Sequence, residues 1–132
     1  MNLTLVPIKE FLQDNKEFES HSDCRESLEM SVMFYARVGY VVPWIGYYAS
    51  LDGTLVGSGG FKGRPLEGKV EIAYGTFPCL QHRGIGAMMC KELVALGRLA
   101  GTSEVIDRIL ERLLQNDPDV YPFAAWALPS IV

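Results

Sequence analysis

A glycine-bearing turn, QHRGIGA, brings together residue types that could bind an anion. It spans Gln81 to Ala87 and precedes a stretch in which apolar residues recur at helical spacing. The first N–H groups of a helix have no partner within the helix, and the helix dipole adds roughly half a positive charge there. Gly84 and Gly86 would let a phosphate or pyrophosphate approach these groups closely. The turn therefore predicts a phosphate site formed largely by main chain.

The two glycines could also serve the fold alone, because glycine permits a sharp strand-to-helix turn without any ligand. A P-loop is disfavoured, since no Lys-Ser or Lys-Thr pair follows the glycines, and a dinucleotide fingerprint would need a small residue where Met89 stands. ATP and NAD are thus disfavoured as ligands. The side chains of His82 and Arg83 could add contacts to a phosphate or could simply be solvated.

The elements before the turn follow from the spacing of apolar residues. Alternation near the amino terminus indicates a first strand at 3–5, and a helix is predicted at 8–20. A second helix of about fifteen residues is predicted to end at Gly39. Ser22 or Asp23 would cap it, and a glutamate three residues after Asp23 would complete a capping box.

The middle of the chain has the composition of a meander of three strands. Runs at 44–50 and 54–62 flank Asp52-Gly53, a strong hairpin signal, and a third alternating run covers 69–77. The glycine turn then begins a helix. At 105–114 the spacing of apolar residues favours a helix, although the first part could equally be a short buried strand.

The pattern formed by Gln81, Gly84 and Gly86 resembles the acyl-CoA-binding motif Q/R-x-x-G-x-G/A of the GCN5-related N-acetyltransferases, the GNAT family. The preceding VEIAYGTFP resembles that family's fourth strand, and DGTLVGSGGFKG resembles its third strand with the hairpin before it. The resemblance covers about residues 1–112. It implies an α+β fold in α/β/α layers, with a mixed, mostly antiparallel central sheet and helices on both faces, and it implies a strand at 105–114.

The resemblance also implies acetyl-CoA (CoA) as the cofactor. In the family, the strand before the motif carries a bulge and splays from its neighbour, which leaves a V-shaped cleft. An unpaired strand edge at 72–77 could pair with the pantetheine amides, while the turn binds the diphosphate. The cofactor-binding residues implied are Phe77, Gln81, His82, Arg83, Gly84, Ile85, Gly86 and Ala87.

The reaction implied is N-acetyl transfer from acetyl-CoA to an amine by direct attack on the thioester, with no metal. Such a reaction needs positioning of both reactants and removal of a proton from the attacking nitrogen. Glu71, in the family's E-I-x-Y context, is the candidate general base, with a purely structural role as its alternative. Tyr121 is the candidate general acid toward the departing thiolate, with packing of the tail as its alternative.

The carboxy-terminal part departs from the family. Residues 108–114 resemble the fifth strand of the subgroup that acetylates ribosomal-protein N-termini and small amines, but DPDVYPFAAWALPSIV replaces the expected final helix and closing strands. The acceptor is thus expected to be a small-molecule amine or a peptide N-terminus.

The alternative function is a CoA-binding or protein-interaction module with impaired catalysis, and a small structural dimer is a third possibility. An uncovered sheet edge and an apolar tail predict a homodimer.

Length and composition agree with one small domain. The 132 residues predict a single domain, 1–132, and a net charge of -4 disfavours nucleic acid as a partner. The three cysteines lack metal-ligand spacing, which predicts reduced thiols in a cytoplasmic protein. No secretory signal is recognisable, and no uncharged run reaches the roughly 20 residues of a membrane-spanning helix.

Overall fold

Five strands form one sheet in the computed structural model, which describes residues 2–108. The strands are β1 (Leu3–Pro7), β2 (Gly46–Leu51), β3 (Thr54–Phe61), β4 (Lys69–Thr76) and β5 (Glu104–Asp107). The α-helices are α1 (Lys16–Glu19), α2 (Arg25–Val38) and α3 (Ile85–Leu99), and short 3-10 turns lie at Leu12–Asn15 and Pro78–Leu80.

The sheet is mixed and mostly antiparallel, in the order β1-β2-β3-β4-β5, with β5 parallel to β4. Helices lie on both of its faces. On one face, a Cβ placed at Gly59 would come 3.1 Å from Cδ1 of Leu93 in α3. On the other face, the main-chain N–H of Gly46 donates to the Tyr35 hydroxyl of α2 at 2.8 Å. The predicted fold class is therefore confirmed.

The predicted helix at 8–20 is wrong over its first half. The side chain of Asn15 is fully buried and accepts the Lys9 N–H at 2.8 Å. Its amide donates to the carbonyls of Lys9 and Phe11 at 3.1 and 3.0 Å. The Asn15 side chain thus takes the place of the main-chain partners that a helix would provide. Asn side chains compete with helical hydrogen bonding in this way, so the segment around Lys9 and Phe11 is not helical. Only a 3-10 turn and the four residues of α1 are helical.

The second predicted helix is confirmed as α2, and its end at Gly39 is confirmed by a φ of +95°. The capping prediction is wrong. Cys24 occupies the N-cap position without a side-chain hydrogen bond, and the N–H of Asp23 instead donates to Nδ1 of His21 at 3.3 Å. The helix begins one residue after Cys24, so neither Ser22 nor Asp23 lies at the N-cap.

The hairpin between β2 and β3 has the predicted two-residue turn. Asp52 and Gly53 have φ values of +50° and +90°, the left-handed values that such a turn requires. The register shifts between Ala49 and Ser50, whose partners are Gly57 and Leu55, so the extra residue of this bulge is Val56 in β3. The β3–β4 register is continuous from Gly57↔Thr76 to Phe61↔Ile72, so the expectation of a bulge in the fourth strand is wrong for this pair.

The start of the ambiguous segment at 105–114 is a strand, as the resemblance implied. β5 pairs with the first four residues of β4, and Val105 is fully buried. Cγ2 of Val105 lies 3.1 Å from the position a Cβ would take at Gly97 in α3. The parallel strand thus fills the space that this glycine leaves under the helix. The rest of the segment lies outside the described residues.

Helix α3 packs closely on β3 and β4 and positions the glycine turn. Met89 and Leu93 are fully buried on its inner face. A Cβ at Gly57 in β3 would lie 3.1 Å from Cε of Met89, tighter than an ordinary contact, so the absence of a side chain there lets the helix approach the strand. Each fully buried Leu or Met contributes about 1.5–3 kcal/mol to folding. The close packing therefore fixes α3 against the strands that precede it.

Candidate active site

The chain reverses between β4 and α3 through two residues in the left-handed region. His82 has a φ of +66° and Gly84 a φ of +79°. Gly84 is the N-cap residue of α3, so the helix begins directly after the reversal. Glycine adopts this conformation without steric cost. The sequence prediction of a glycine turn that leads from a strand into a helix is therefore confirmed.

The first turn of α3 presents main-chain N–H groups with little cover. The first bond of the helix runs from the Met88 N–H to the Gly84 carbonyl at 3.3 Å, so the N–H groups of residues 85–87 precede the helical ladder. A Cβ at Gly84 would meet nothing within 4 Å, and one at Gly86 would meet only Cε2 of Tyr74, at 3.8 Å. The turn has the geometry of an anion site, in which free N–H groups and the helix dipole act together.

The three residues before Gly84 are exposed to solvent. The Gln81 side chain donates from Nε2 to the Thr76 carbonyl at 3.4 Å, which ties the turn back to the end of β4. Arg83 forms no ion pair with any residue of the described range. Its guanidinium and the His82 ring are accessible to a ligand at the helix terminus.

Among residues 2–108, no strand pairs with the second half of β4 on the edge that faces β5. Antiparallel ladders alternate the side to which each residue directs its N–H and C=O. The N–H of Lys62 donates to the Glu71 carbonyl, and the N–H of Phe77 donates to the Val56 carbonyl. Residues 71, 73, 75 and 77 therefore face β3, and residues 74 and 76 face the other side. Within the described range, β5 pairs only as far as Ile72.

Phe77 is less available than the sequence suggested. Its N–H donates to Val56 and its carbonyl accepts from Leu80 at 2.9 Å, so both main-chain groups already have partners. Its side chain is buried, and its ring centroid lies 5.4 Å from that of His21. The main-chain edge expected at 72–77 thus reduces to Tyr74 and Thr76, and the Thr76 carbonyl already accepts a long bond from Gln81.

A buried carboxylate holds the strand edge, the helix and β5 together, and sequence reasoning missed it. Asp107 is fully buried; Oδ2 accepts the Tyr74 hydroxyl at 2.7 Å and the Cys90 thiol at 3.3 Å. Burial, followed by the Asp107 charge, raises the pKa of Cys90 to about 12, and burial first of all raises the pKa of Tyr74. Both groups therefore remain protonated donors near neutral pH. An Asp directly after the apolar pair Val105-Ile106 was the only sequence signal.

The Tyr74 ring occupies the point where the proposed ligand surfaces meet. It lies on the half of β4 with the open edge, its Cε2 is the nearest atom to the Cβ position of Gly86, and its hydroxyl is fixed by Asp107. The ring thus lies between the first turn of α3 and β5, which it contacts through Asp107.

Glu71 lies on β4 before the open edge, with its side chain on the face opposite α3, since strand neighbours alternate. Its Oε1 is 3.1 Å from Nζ of Lys62 and 3.7 Å from Nε of Arg108. The side chain remains 30% exposed, so a proton could leave to solvent. The other predicted catalytic residue, Tyr121, lies outside the described residues, as does the apolar tail expected to form a dimer.

An open groove of about 770 Å³ lies beside the same part of β4. Helix α2 forms one wall, and residues of β2, β3 and β4 form the other, including Ala73 to Gly75. Pockets that bind small molecules have similar volumes. The strand edge and the groove therefore meet at Tyr74, between Ala73 and Gly75. Across residues 2–108, no group of three or more His, Cys, Asp or Glu could hold a metal ion.

Comparisons with known proteins support the fold. No protein-family model and no curated protein sequence matches the chain. A candidate acetyltransferase from Exiguobacterium sp. 255-15 superposes with a TM-score of 0.59 and 14% identity, over 92% of this chain and 83% of that one. A spermidine N-acetyltransferase chimera that includes Vibrio cholerae sequence gives 0.56 and 11%, over 81% and 70%.

A third solved structure, a GNAT-family acetyltransferase from Brucella melitensis in complex with acetyl-CoA, gives a TM-score of 0.50 and 17% identity, over 80% of this chain and 75% of that one. Together with the order and direction of the strands, these likenesses show that the chain has the fold of the GNAT acetyltransferases. In residues 2–108, no helix has the length and apolar character needed to cross a membrane.

Proposed function

We propose that the chain is an N-acetyltransferase that transfers an acetyl group from acetyl-CoA to an amine by direct attack on the thioester. One observation carries this proposal: the edge of β4 at Tyr74 and Thr76, which no strand within residues 2–108 covers, lies next to the bare N–H groups of residues 85–87. An extended ligand with amides at one end and a diphosphate at the other matches both surfaces. Coenzyme A has that chemistry, and one structure of the same fold contains acetyl-CoA.

In this proposal the diphosphate binds the main chain of Gly84 to Ala87, with Gln81, His82 and Arg83 beside it. The pantetheine amides pair with the edge of β4, and Phe77 supports the turn through its packing. The thioester then lies near Ala73, where the strand edge meets the groove. The acceptor amine approaches through the groove, on the face opposite α3.

The chemistry needs few protein groups, because a thioester is already activated. The neutral amine nitrogen attacks the carbonyl carbon, the C–S bond breaks, and CoA leaves as the thiolate, which then takes up a proton. We propose that Glu71, directly or through a water, accepts the proton lost by the nitrogen. Tyr121 stays the proposed acid toward the thiolate, and a small amine or a peptide N-terminus stays the proposed acceptor.

The test separates cofactor binding from catalysis. Calorimetry should detect acetyl-CoA binding to the unmodified chain, and thiol release should follow when acceptor amines are added. Replacement of Glu71 by Gln should lower kcat about 10²- to 10⁴-fold, the typical contribution of a general base, while leaving the cofactor Kd unchanged. Glu67→Gln is the matched control, because Glu67 is exposed in the turn before β4. Full activity of Glu71→Gln would exclude Glu71 as the base.

A CoA-binding or interaction module without turnover is the second candidate. It is favoured by the two cations within 4 Å of the Glu71 carboxylate, an arrangement that a structural ion-pair network would also produce. Cofactor binding without thiol release for any amine would support it. The homodimer stays a prediction that light scattering can test, with a monomer at high concentration as the contrary result.

A further inference from the structure

The residues that line the groove beside β4 indicate which kind of acceptor it can bind. Its wall on α2 is formed by Met30, Met33 and Phe34, of which the two methionines are 61% and 69% exposed. Its opposite wall includes the flat main chain of Gly59 and Gly60. Soluble proteins bury most large apolar side chains, and neighbouring exposed ones often mark a binding surface. The groove therefore suits the apolar body of a ligand that lies between the helix and a glycine surface.

The charges around the groove exclude one class of amine. The described residues that line it include no Asp or Glu, and the charged ones are Arg37 and Lys62. Lys62 is paired with Glu71, which is not a lining residue, whereas Arg37 has no ion pair within residues 2–108. A polyamine would place its additional ammonium groups against apolar side chains and the Arg37 guanidinium, which is unfavourable on both counts. A ligand with an anionic group gains from the same charges.

Arg37 is available to an anion. Its Cζ lies 5.6 Å from the centroid of the Phe34 ring, so the guanidinium is held against the wall of the groove. It forms no ion pair within residues 2–108. A guanidinium is well suited to a carboxylate, because two of its N–H groups can donate in parallel.

Lys62 and Glu71 form a charge pair at the groove's end near Ala73. Their nearest atoms are 3.1 Å apart. An α-amino acid carries an amine and a carboxylate on one carbon, and this pair of opposite groups complements a lysine–glutamate pair. In that arrangement the amine would lie toward Glu71 and the carboxylate toward Lys62 and Arg37. The side chain would extend along Met33 and Phe34.

We infer that the acceptor is an α-amino acid with a large apolar or aromatic side chain, rather than a polyamine. This inference rests on the proposed function for the cofactor, but it concerns the acceptor groove alone. L-phenylalanine is the probe with both features. Phenethylamine lacks the carboxylate, glycine lacks the apolar body, and spermidine represents the polyamines.

The experiment measures kcat/KM by thiol release with each of the four probes. L-phenylalanine should exceed phenethylamine, glycine and spermidine by about tenfold or more, since a charge-assisted hydrogen bond or a buried ring each contributes at least this factor. Arg37→Gln should lower kcat/KM for L-phenylalanine about tenfold and leave that for phenethylamine unchanged. Arg25→Gln, an exposed position at the start of α2, should change neither value.

Preference for spermidine, or an equal effect of Arg37→Gln on both aromatic probes, would overturn the inference. Calorimetry can also measure binding of each probe to the chain saturated with CoA. This measurement does not depend on turnover. Binding of L-phenylalanine without thiol release would support the inference while contradicting the proposed catalysis. Binding of CoA with no preference for L-phenylalanine over phenethylamine and spermidine would contradict the inference while leaving the cofactor proposal intact.

Discussion

Gly86→Glu should weaken cofactor binding and strengthen the fold at the same time. The side chain can be accommodated, because a Cβ at this position meets only Cε2 of Tyr74, at 3.8 Å. The residue lies in the first turn of α3, where glycine disfavours the helix by about 0.5 kcal/mol relative to Glu. A carboxylate near a helix N-terminus adds about 0.3–1 kcal/mol of stability. The variant should therefore be about 1 kcal/mol more stable without ligand.

The effect on the cofactor has the opposite sign. A carboxylate on residue 86 would lie roughly 5 Å from a diphosphate bound to the first turn, where repulsion between charges of -1 and -2 is about 2–3 kcal/mol at an effective dielectric constant of 40–80. The Kd for CoA should therefore rise about 30- to 150-fold. The repulsion should decrease as salt concentration increases, because the turn is exposed.

Calorimetry gives the Kd, and thermal unfolding without ligand gives the stability, with an expected rise in Tm of about 3–5 °C. Gly86→Gln is the matched control, since it adds the same volume without the charge. Gln13→Glu adds the same charge at an exposed site far from the turn in sequence and should leave the Kd unchanged. The reasoning is refuted if Gly86→Glu binds CoA as tightly as the unmodified chain, or if Gly86→Gln loses as much affinity.

Two further predictions concern buried groups of the core. Tyr74→Phe removes a donor from the fully buried Asp107 and should lower the free energy of unfolding by about 2 kcal/mol, as measured by urea denaturation; an unchanged midpoint would contradict this role. Stability should also fall as pH rises from 9 toward 12. The pKa of Cys90 is raised from 9.0 to about 12 and that of Tyr48 from 10.0 to about 12, both mainly by burial, so the unfolded chain loses these protons first. A Tm that stays constant between pH 8 and 10.5 would contradict these shifts.

Local sequence signals predicted the parts of the fold that short segments determine. The Asp52-Gly53 hairpin, the alternation of β4 and the glycine turn before α3 each depend on a few adjacent residues. The helical spacing at 105–114 favoured the wrong element for residues 105–107. That strand is stabilised by Val105 under Gly97 and by pairing with β4, contacts between segments that periodicity does not report.

The same limit applies to the candidate site. The anion turn was predictable, because its glycines and the helix start are contiguous in sequence. The hydrogen bond between Tyr74 and Asp107 joins residues 33 positions apart, so no local pattern indicated it. The groove was missed for the same reason, since its walls come from α2 and from strands that follow it. Phe77 was predicted to face the cofactor, but the ladder with β3 directs its main chain inward.

A crystal structure with acetyl-CoA bound tests the central claim most directly. We expect the diphosphate oxygens within about 3 Å of main-chain nitrogens in the first turn of α3, the usual hydrogen-bond distance. We also expect pantetheine amides paired with Tyr74 and Thr76, and the acetyl group beside Ala73. A cofactor bound elsewhere on the surface, with the first turn of α3 contacting only solvent, would contradict the account.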